Sequence, residues 1–410
     1  MTQTPAANNG LLNRRWFLKA GAVAAGAAVL TPAMADGPWM TYPGQSPGPY
    51  GAPSRFAALK REQITLNPLG PGDGASCSPL QSLNGIITPN SLHFERHHSG
   101  IPDIDPEHHR LTVFGQVKNP LVFSYESLLR YPQQTKTWFL ECSGNSFRNT
   151  FDEAPDLTAG EVSGLFSCAE WTGVPLHYLL DEVGAHKTAS WVIAEGADAS
   201  GNNRSIPMSI AQHAIIALFQ NGEPIRPSQG FPMRLFVPGC EGNISIKWLR
   251  SLKLSPTPAQ TREETSKYTD LLADGTAQQF SLKMEVKSVI TSPSGKMQLP
   301  AKGIYPITGL AWSGQAPISS VHVSADGGKS WAAAELQTEP SPFAPVRFRI
   351  PWQWHGQPAV LQSRATDAAG NIQPTRAVAL RKQSPLVIYH YNGIQSWQVD
   401  ASGKVRNALI

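Results

Sequence analysis

The sequence predicts an α+β domain followed by an immunoglobulin-like β-sandwich, and three observations lead there. Glycine and proline number 35 each in 410 residues while charged residues make up only 16%, a balance that suits turns and strands rather than long helices with charged outer faces. Hydrophobic periodicity is mixed up to Pro256 and changes to short strand-like runs separated by turn residues from Met284 onward. The length exceeds one ordinary core and fits two folded domains with extensions.

Taken in order, Asn13-Arg14-Arg15-Trp16-Phe17-Leu18-Lys19 precedes an Ala/Gly-rich apolar run, Ala20 to Leu30, and the small-residue triplet Ala33-Met34-Ala35. This order reads as a twin-arginine export signal over residues 1–35. The apolar run is well short of the ~20 residues that span a bilayer, so a periplasmic protein without a membrane span is expected. That route carries folded chains, which suits a cofactor inserted before export. Residues 36–80 read as an extended arm, because Tyr42 to Ser54 is too rich in Pro and Gly to bury a core. Residues 81–256 form the first domain. In it Leu111, Val113, Gly115 and Val117 alternate with polar residues as a half-buried strand does, and Lys136 to Cys142 reads as a strand running into a turn. Leu176, Leu179, Leu180 and Val183 recur at i, i+3, i+4 and i+7, with Gly184 as the stop of one amphipathic helix. Residues 257–283 are polar and without period, hence a linker. Residues 284–385 carry strand signals at Val286 to Ile290, Ile304 to Trp312, and Val321 and Val323, with turns at Asp326-Gly327-Gly328 and Thr366 to Asn371, the spacing of a sandwich. Residues 386–410 are a C-terminal tail. No fixed repeat points to a propeller or solenoid.

Thirty-four basic against 30 acidic residues leave a net charge of +4, and the basic residues are scattered. Nucleic acid is therefore not an expected partner. The four cysteines, Cys77, Cys142, Cys168 and Cys240, would by default form two disulfides in an exported protein, but their spacing gives no framework. Neither C-x-x-C nor C-x-x-C-H occurs, so no zinc ribbon and no covalent haem is expected in this chain.

Several blocks then appear in order: Ile87-Thr88-Pro89-Asn90, Phe94-Glu95-Arg96-His97-His98, Phe139-Leu140-Glu141-Cys142-Ser143-Gly144-Asn145, Gly230-Phe231-Pro232-Met233-Arg234 with Val237-Pro238-Gly239, and Ile246-Lys247-Trp248-Leu249. Ala311-Trp312-Ser313-Gly314 and Val323 to Gly328 follow in the second domain. Together they resemble the sulfite oxidase family of molybdopterin enzymes, over roughly residues 80 to 380. The resemblance implies a sulfite-oxidase-type molybdopterin domain followed by a dimerisation domain, and one molybdenum-molybdopterin per chain. It implies Cys142 as the metal's thiolate ligand, in keeping with the preference of this metal for soft, electron-rich donors. It implies His98, Asp198, Gln229, Arg234, Ser245, Ile246 and Lys247 as pterin-binding positions, the cations suiting a phosphate. Arg96 and one of Arg347 and Arg349 are the implied catalytic cations, stabilising charge on sulfur-bound oxygens. For Cys77, Cys168 and Cys240 it implies nothing.

Departures from the sulfite-oxidising pattern bear on substrate. The stretch Cys142-Ser143-Gly144-Asn145-Ser146-Phe147-Arg148 has serine and phenylalanine where those members place cations, Asn202 stands where a catalytic tyrosine is expected, and Gln229 replaces a frequent histidine. These features, with the tail Tyr389-His390-Tyr391-Asn392-Gly393-Ile394-Gln395-Ser396-Trp397, are similar to the branch that oxidises sulfane sulfur in bacterial thiosulfate-oxidising (Sox) systems. The expectation is oxygen-atom transfer from water to a persulfide held on a sulfur-carrier protein. Electrons would pass to a c-type cytochrome subunit, with a homodimer inside a hetero-oligomer. A sulfite dehydrogenase acting on free sulfite is the same-chemistry alternative. A non-catalytic binding module for the sulfur carrier is the alternative from another class, and a reductase of oxidised sulfur is a third.

Overall fold

The computed structural model describes residues 6–12, 38–40, 42–64, 70–382 and 388–410. The Arg14-Arg15 stretch and the Ala33-Met34-Ala35 triplet lie outside the described residues. Among the described residues no helix is long and apolar enough to cross a membrane.

Two sheets build the first domain. One runs Leu121–Ser124, Arg110–Gly115, Leu249–Ser255, Trp191–Gly196, Asn203–Pro207, with Arg110–Gly115 and Leu249–Ser255 parallel and the other pairs antiparallel. The alternating Leu111 and Val113 are fully buried, as the two-residue period of a strand with one face on a core requires. The other sheet sets Glu223–Pro224, Ile215–Gln220, Phe166–Pro175 and Gln134–Glu141 side by side, and Arg234–Phe236 also pairs with Ile215–Gln220. Leu176–Glu182 is the expected amphipathic helix, with Leu176, Leu179 and Leu180 buried and the chain turning at Gly184. Cys142 is the first residue beyond the strand Gln134–Glu141, whose last four residues are buried.

The second domain is a sandwich. Lys287–Ser292, Gly303–Trp312, Val346–Trp354 and Glu335–Leu336 form one sheet; Ala332–Ala333, Ile318–Ser324, Ala359–Asp367, Ser396–Val399 and Val405–Ala408 form the other. The C-terminal tail thus supplies two strands of the sandwich, and its Trp397, Val399 and Val405 sit in the core. The two expected turns close on aspartates: Asp326 accepts from the Lys329 and Ser330 amides, and Asp367 from those of Ala369 and Asn371. The domains share one core, since Phe166 of the first stacks on Trp312 of the second with ring centroids 4.0 Å apart.

Two segments read as unstructured are structured. Residues 257–283 contain the helix Arg262–Thr265, started by a capping box of Thr261 and Glu264, and a hairpin of Asp270–Leu271 with Ala277–Gln278. The segment is anchored by the buried carboxylates Glu263, Glu264 and Asp270 together with Tyr268 and Leu282, which stand too far apart to show an apolar period. The arm contributes Glu62–Ile64 and Gly74–Cys77, which with Glu95–His97 make a three-stranded sheet beside the first domain. All four cysteines are free, Cys77, Cys168 and Cys240 being buried among apolar neighbours, so the default pairing of exported cysteines does not occur here.

Candidate active site

Cys142 opens into a cavity of roughly 710 Å3, its open mouth included. The loop that carries it is held from several directions. Its amide donates to the Leu165 carbonyl at 2.9 Å, its carbonyl accepts from the Asn145 amide at 2.9 Å, and the Ser143 carbonyl accepts from the His390 amide at 2.8 Å. Directly before it, the buried Glu141 carboxylate accepts from Asn145 Nδ2 (2.9 Å), Lys287 Nζ (3.0 Å) and Trp312 Nε1 (2.6 Å). Two of these donors belong to the sandwich, so the second domain fixes the strand end that presents the thiol. Burial pushes the Cys142 thiol up, opposed by the Gly144 amide and the Arg96 guanidinium; a cation or metal is needed to favour the thiolate here.

Behind the loop lies a network of paired charges. Glu241 accepts from Arg204 Nη2 (3.0 Å), Asn243 Nδ2 (2.6 Å) and His390 Nε2 (3.2 Å), and His390 Nδ1 lies 2.8 Å from Asp270. Burial disfavours the imidazolium, but the hydrogen bonds to Asp270 and Glu241 outweigh it and raise His390 to about 10.

The opposite wall is cationic. Arg234 is buried and gives Nη1 to the Gln229 carbonyl (3.0 Å) and Nη2 to the Ser245 carbonyl (2.8 Å), while burial lowers it to about 9. Lys247 Nζ contacts the Arg96 carbonyl (3.1 Å), His97 Nδ1 (2.8 Å) and the Ser228 carbonyl (3.4 Å), and burial, then Arg234, lowers it to about 7. None of these partners is a carboxylate. Gly230 lets the two cations converge: its φ is +113°, and a Cβ there would meet Lys247 Cα at 3.0 Å and Arg234 Cβ at 3.1 Å.

The structure brings Arg96, Cys142, His98, Asp198, Gln229, Arg234, Ser245 and Lys247 to the wall of this one cavity. Ile246 is not in the lining; it is buried, and its carbonyl accepts from the Leu235 amide. Arg347 and Arg349 are not brought there either. Arg347 is held by the Gly85 and Leu83 carbonyls at 2.8 and 3.1 Å, and Arg349 reaches toward Glu335 of the neighbouring strand at 3.9 Å. Both belong to the sandwich strand Val346–Trp354, and neither is in the lining. Phe147 is also outside the lining: it starts the short helix Phe147–Thr150 and packs on Phe151. Arg96 itself is paired with Asp73 and with the His97 carbonyl.

Sequence reasoning missed Tyr268 and Asn243, which line the cavity, and the role of His390 behind it. Tyr268 is supplied by the segment read as a linker, and its ring lies 5.2 Å from that of Tyr389 and 5.1 Å from the Arg204 guanidinium. Arg96 Nη2, which can only donate, faces His98 Nδ1 at 3.4 Å. His98 therefore carries its proton on Nε2, which donates to Tyr268 Oη at 3.1 Å. The phenol keeps its own proton for another acceptor.

A cationic wall, a thiol in the same lining, and Arg234 Nε, Asn202 Oδ1 and Asn243 Oδ1 without a hydrogen-bond partner among the described residues fit an anionic, heteroatom-rich cofactor bound through sulfur to a metal. The fold and site thus define a molybdopterin-binding oxidoreductase. Residues 98–263 match the family described as Oxidoreductase molybdopterin binding domain, and residues 278–383 match the Mo-co oxidoreductase dimerisation domain. The solved structure of the sulfane dehydrogenase SoxCD from Paracoccus pantotrophus superposes with a TM-score of 0.88 at 41% identity, covering 92% of this chain and 97% of that chain. Mitochondrial sulfite oxidase of Mus musculus is 30% identical over 324 residues, 72% of this chain and 59% of the mouse protein. Nitrate reductase [NAD(P)H] of Hordeum vulgare is 29% identical over 368 residues, 78% of this chain and 41% of the barley protein. The chain spans about half the length of these two curated relatives. It belongs to the sulfite oxidase family of molybdopterin oxidoreductases, with the molybdenum-molybdopterin cofactor that the family implies.

Proposed function

We propose that this protein oxidises sulfane sulfur carried as a persulfide on a cysteine of a partner protein, with water as the oxygen source and a c-type cytochrome as electron acceptor. The observation that carries the reading is the 41% identity to the SoxCD chain over 97% of that chain's length. When bound, the molybdenum-pterin would supply two-electron redox and oxygen-atom-transfer chemistry. Cys142 would ligate the metal. Arg234 and Lys247 would bind the cofactor's phosphate, oriented by the Gln229 and Ser245 carbonyls that hold the guanidinium. Asp198, Asn202 and Asn243 offer acceptors and donors to a polar ring system. Arg96 favours the thiolate at Cys142, and Tyr268 holds a proton at Oη for an acceptor in the cavity.

Arg96 is committed to Asp73, and neither Arg347 nor Arg349 reaches the lining. With Arg234 and Lys247 given to the cofactor's phosphate, a small free dianion would find little unspent charge to bind it. A carrier-bound persulfide draws affinity from protein contacts outside the cavity instead. Export by the twin-arginine route to the periplasm is part of the same proposal, supported by Arg14-Arg15 and the run that follows. The test is a steady-state assay with cytochrome c, comparing a persulfidated carrier with sulfite. Turnover of the carrier and little turnover of sulfite is the expected result; efficient turnover of sulfite with no carrier would make the protein a sulfite dehydrogenase.

A further inference from the structure

The sandwich has an open edge. In the sheet that contains Val346–Trp354, the short strand Glu335–Leu336 pairs with Arg349 and Phe348, so among the described residues the stretch Pro351 to Gln353 has no neighbour from the sandwich on that side. Unpaired strand edges are covered in native proteins. Here the cover comes from the far N-terminus, upstream of the arginine pair. Leu11 bridges Trp352 in antiparallel register. The Gln353 amide donates to the Gly10 carbonyl at 2.7 Å, and the Leu12 amide donates to the Pro351 carbonyl at 3.1 Å.

The contact is specific as well as extended. Trp352 Nε1 donates to the Asn9 carbonyl at 2.8 Å. The Asn9 side chain donates to the Ala325 carbonyl at 2.6 Å and accepts from Gln357 at 2.8 Å, which engages the second sheet too. Leu11 is fully buried within the sandwich core cluster and Leu12 nearly so. Gly10 has φ +91°, and a Cβ there would meet the Gln353 carbonyl oxygen at 2.0 Å, so only glycine fits. A loose polar leader would show none of this. Arg14 stands two residues beyond Leu12, at most about 7 Å of chain.

We propose that the sandwich carries a strand-accepting seat for the chain's own Asn8–Leu12 segment, a clasp that holds the leader to the folded second domain until the leader is removed. An unfolded sandwich offers no paired edge and no pocket for Leu11, so the clasp forms only after that domain folds. In the sequence the arginine pair begins two residues after the clasped segment. The release half rests on the export reading above, since removal of residues 1–35 takes the segment with it; the seat itself does not.

The test is hydrogen exchange of the full-length chain, followed by mass spectrometry. The Leu12 and Gln353 amides should exchange at least about tenfold more slowly than in Gly10→Val and Leu11→Asp variants, as expected of amides in a cooperatively packed unit. The strand Gly303–Trp312 should stay equally protected in all three proteins. Unprotected Leu12 in the wild type, or variants that change nothing, overturns the clasp. Protection that falls on dilution places the segment on a second copy and overturns it as well. A synthetic peptide of residues 5–13 should bind the chain lacking its leader and perturb tryptophan fluorescence, while the Gly10→Val peptide should not; failure of the first to bind also overturns the seat. N-terminal sequencing of the exported protein tests the export reading separately, because a retained leader leaves the exchange result unchanged.

Discussion

On one side of the cavity the buried Arg234 and the half-buried Lys247 have carbonyl and imidazole partners among the described residues, whereas behind Cys142 the buried carboxylates Glu141 and Glu241 each hold a cation at 3.0 Å. Burying an unpaired charge is costly, and a fold tolerates it where a ligand brings the opposite charge. Burial lowers Lys247 to about 7 and Arg234 to about 9, the direction in which that cost acts. The paired wall has no such deficit. It is scaffold, and through Lys287 and Trp312 it makes the sandwich part of the active-site support. The contrast separates the residues proposed to bind the cofactor from those that fix the loop of Cys142, its proposed ligand.

Substitutions on the two sides should therefore fail in different ways. The largest effect is expected for Cys142→Ser, which should keep the fold but lower turnover by more than about a hundredfold, since loss of even a supporting contact around a metal ligand costs ~10–100-fold; turnover of the purified, molybdenum-loaded variant checks this. Lys287→Met should destabilise the protein by ~3–5 kcal/mol in urea unfolding, because it strands a buried carboxylate. Arg234→Met should do the reverse. The cofactor-free protein should be as stable as wild type or more so, while cofactor retention in dialysis falls roughly ten- to a hundredfold, the loss of a charged hydrogen bond of ~1.5–3 kcal/mol.

The smallest effect is a pair of opposing pH slopes in the cofactor-free protein. Lys247 is lowered on folding to about 7 from an ordinary 10.5, so the unfolded chain binds the extra proton and stability rises as pH increases between these values. His390 is raised to about 10 from 6.5. Its stabilisation is complete below about 6.5 and is lost as pH rises through about 10. Thermal unfolding from pH 7 to 10 should show a more negative slope for Lys247→Met and a more positive one for His390→Gln. Equal slopes in both variants would erase the distinction between the walls.

What the sequence revealed follows the range of the interactions involved. The helix Leu176–Glu182, the strand that ends at Glu141 and the turns at Asp326 and Asp367 rest on neighbours within a few residues, and their periods and turn residues are visible in the text. The cavity lining was legible where it falls in a compact block, as at Arg96 and His98 or at Ser245 and Lys247, though the same block also pointed to Ile246, which lies outside the lining. Tyr268 was not, because its segment is anchored by buried carboxylates and by apolar residues without a helical or strand period. His390 was quoted only as part of a tail; its bonds to Glu241 and Asp270 cross 149 and 120 residues. Arg347 and Arg349 lie outside this chain's cavity lining, and residue type in a plausible register does not say which carbonyl or carboxylate will hold a charge.

The most direct measurement is molybdenum X-ray absorption of the purified wild-type and Cys142→Ser proteins. Molybdenum should be present in both, with one fewer sulfur neighbour in the variant. An unchanged sulfur shell, or wild-type protein that contains no molybdenum, would contradict Cys142 as the ligand and the cationic wall as the cofactor's seat.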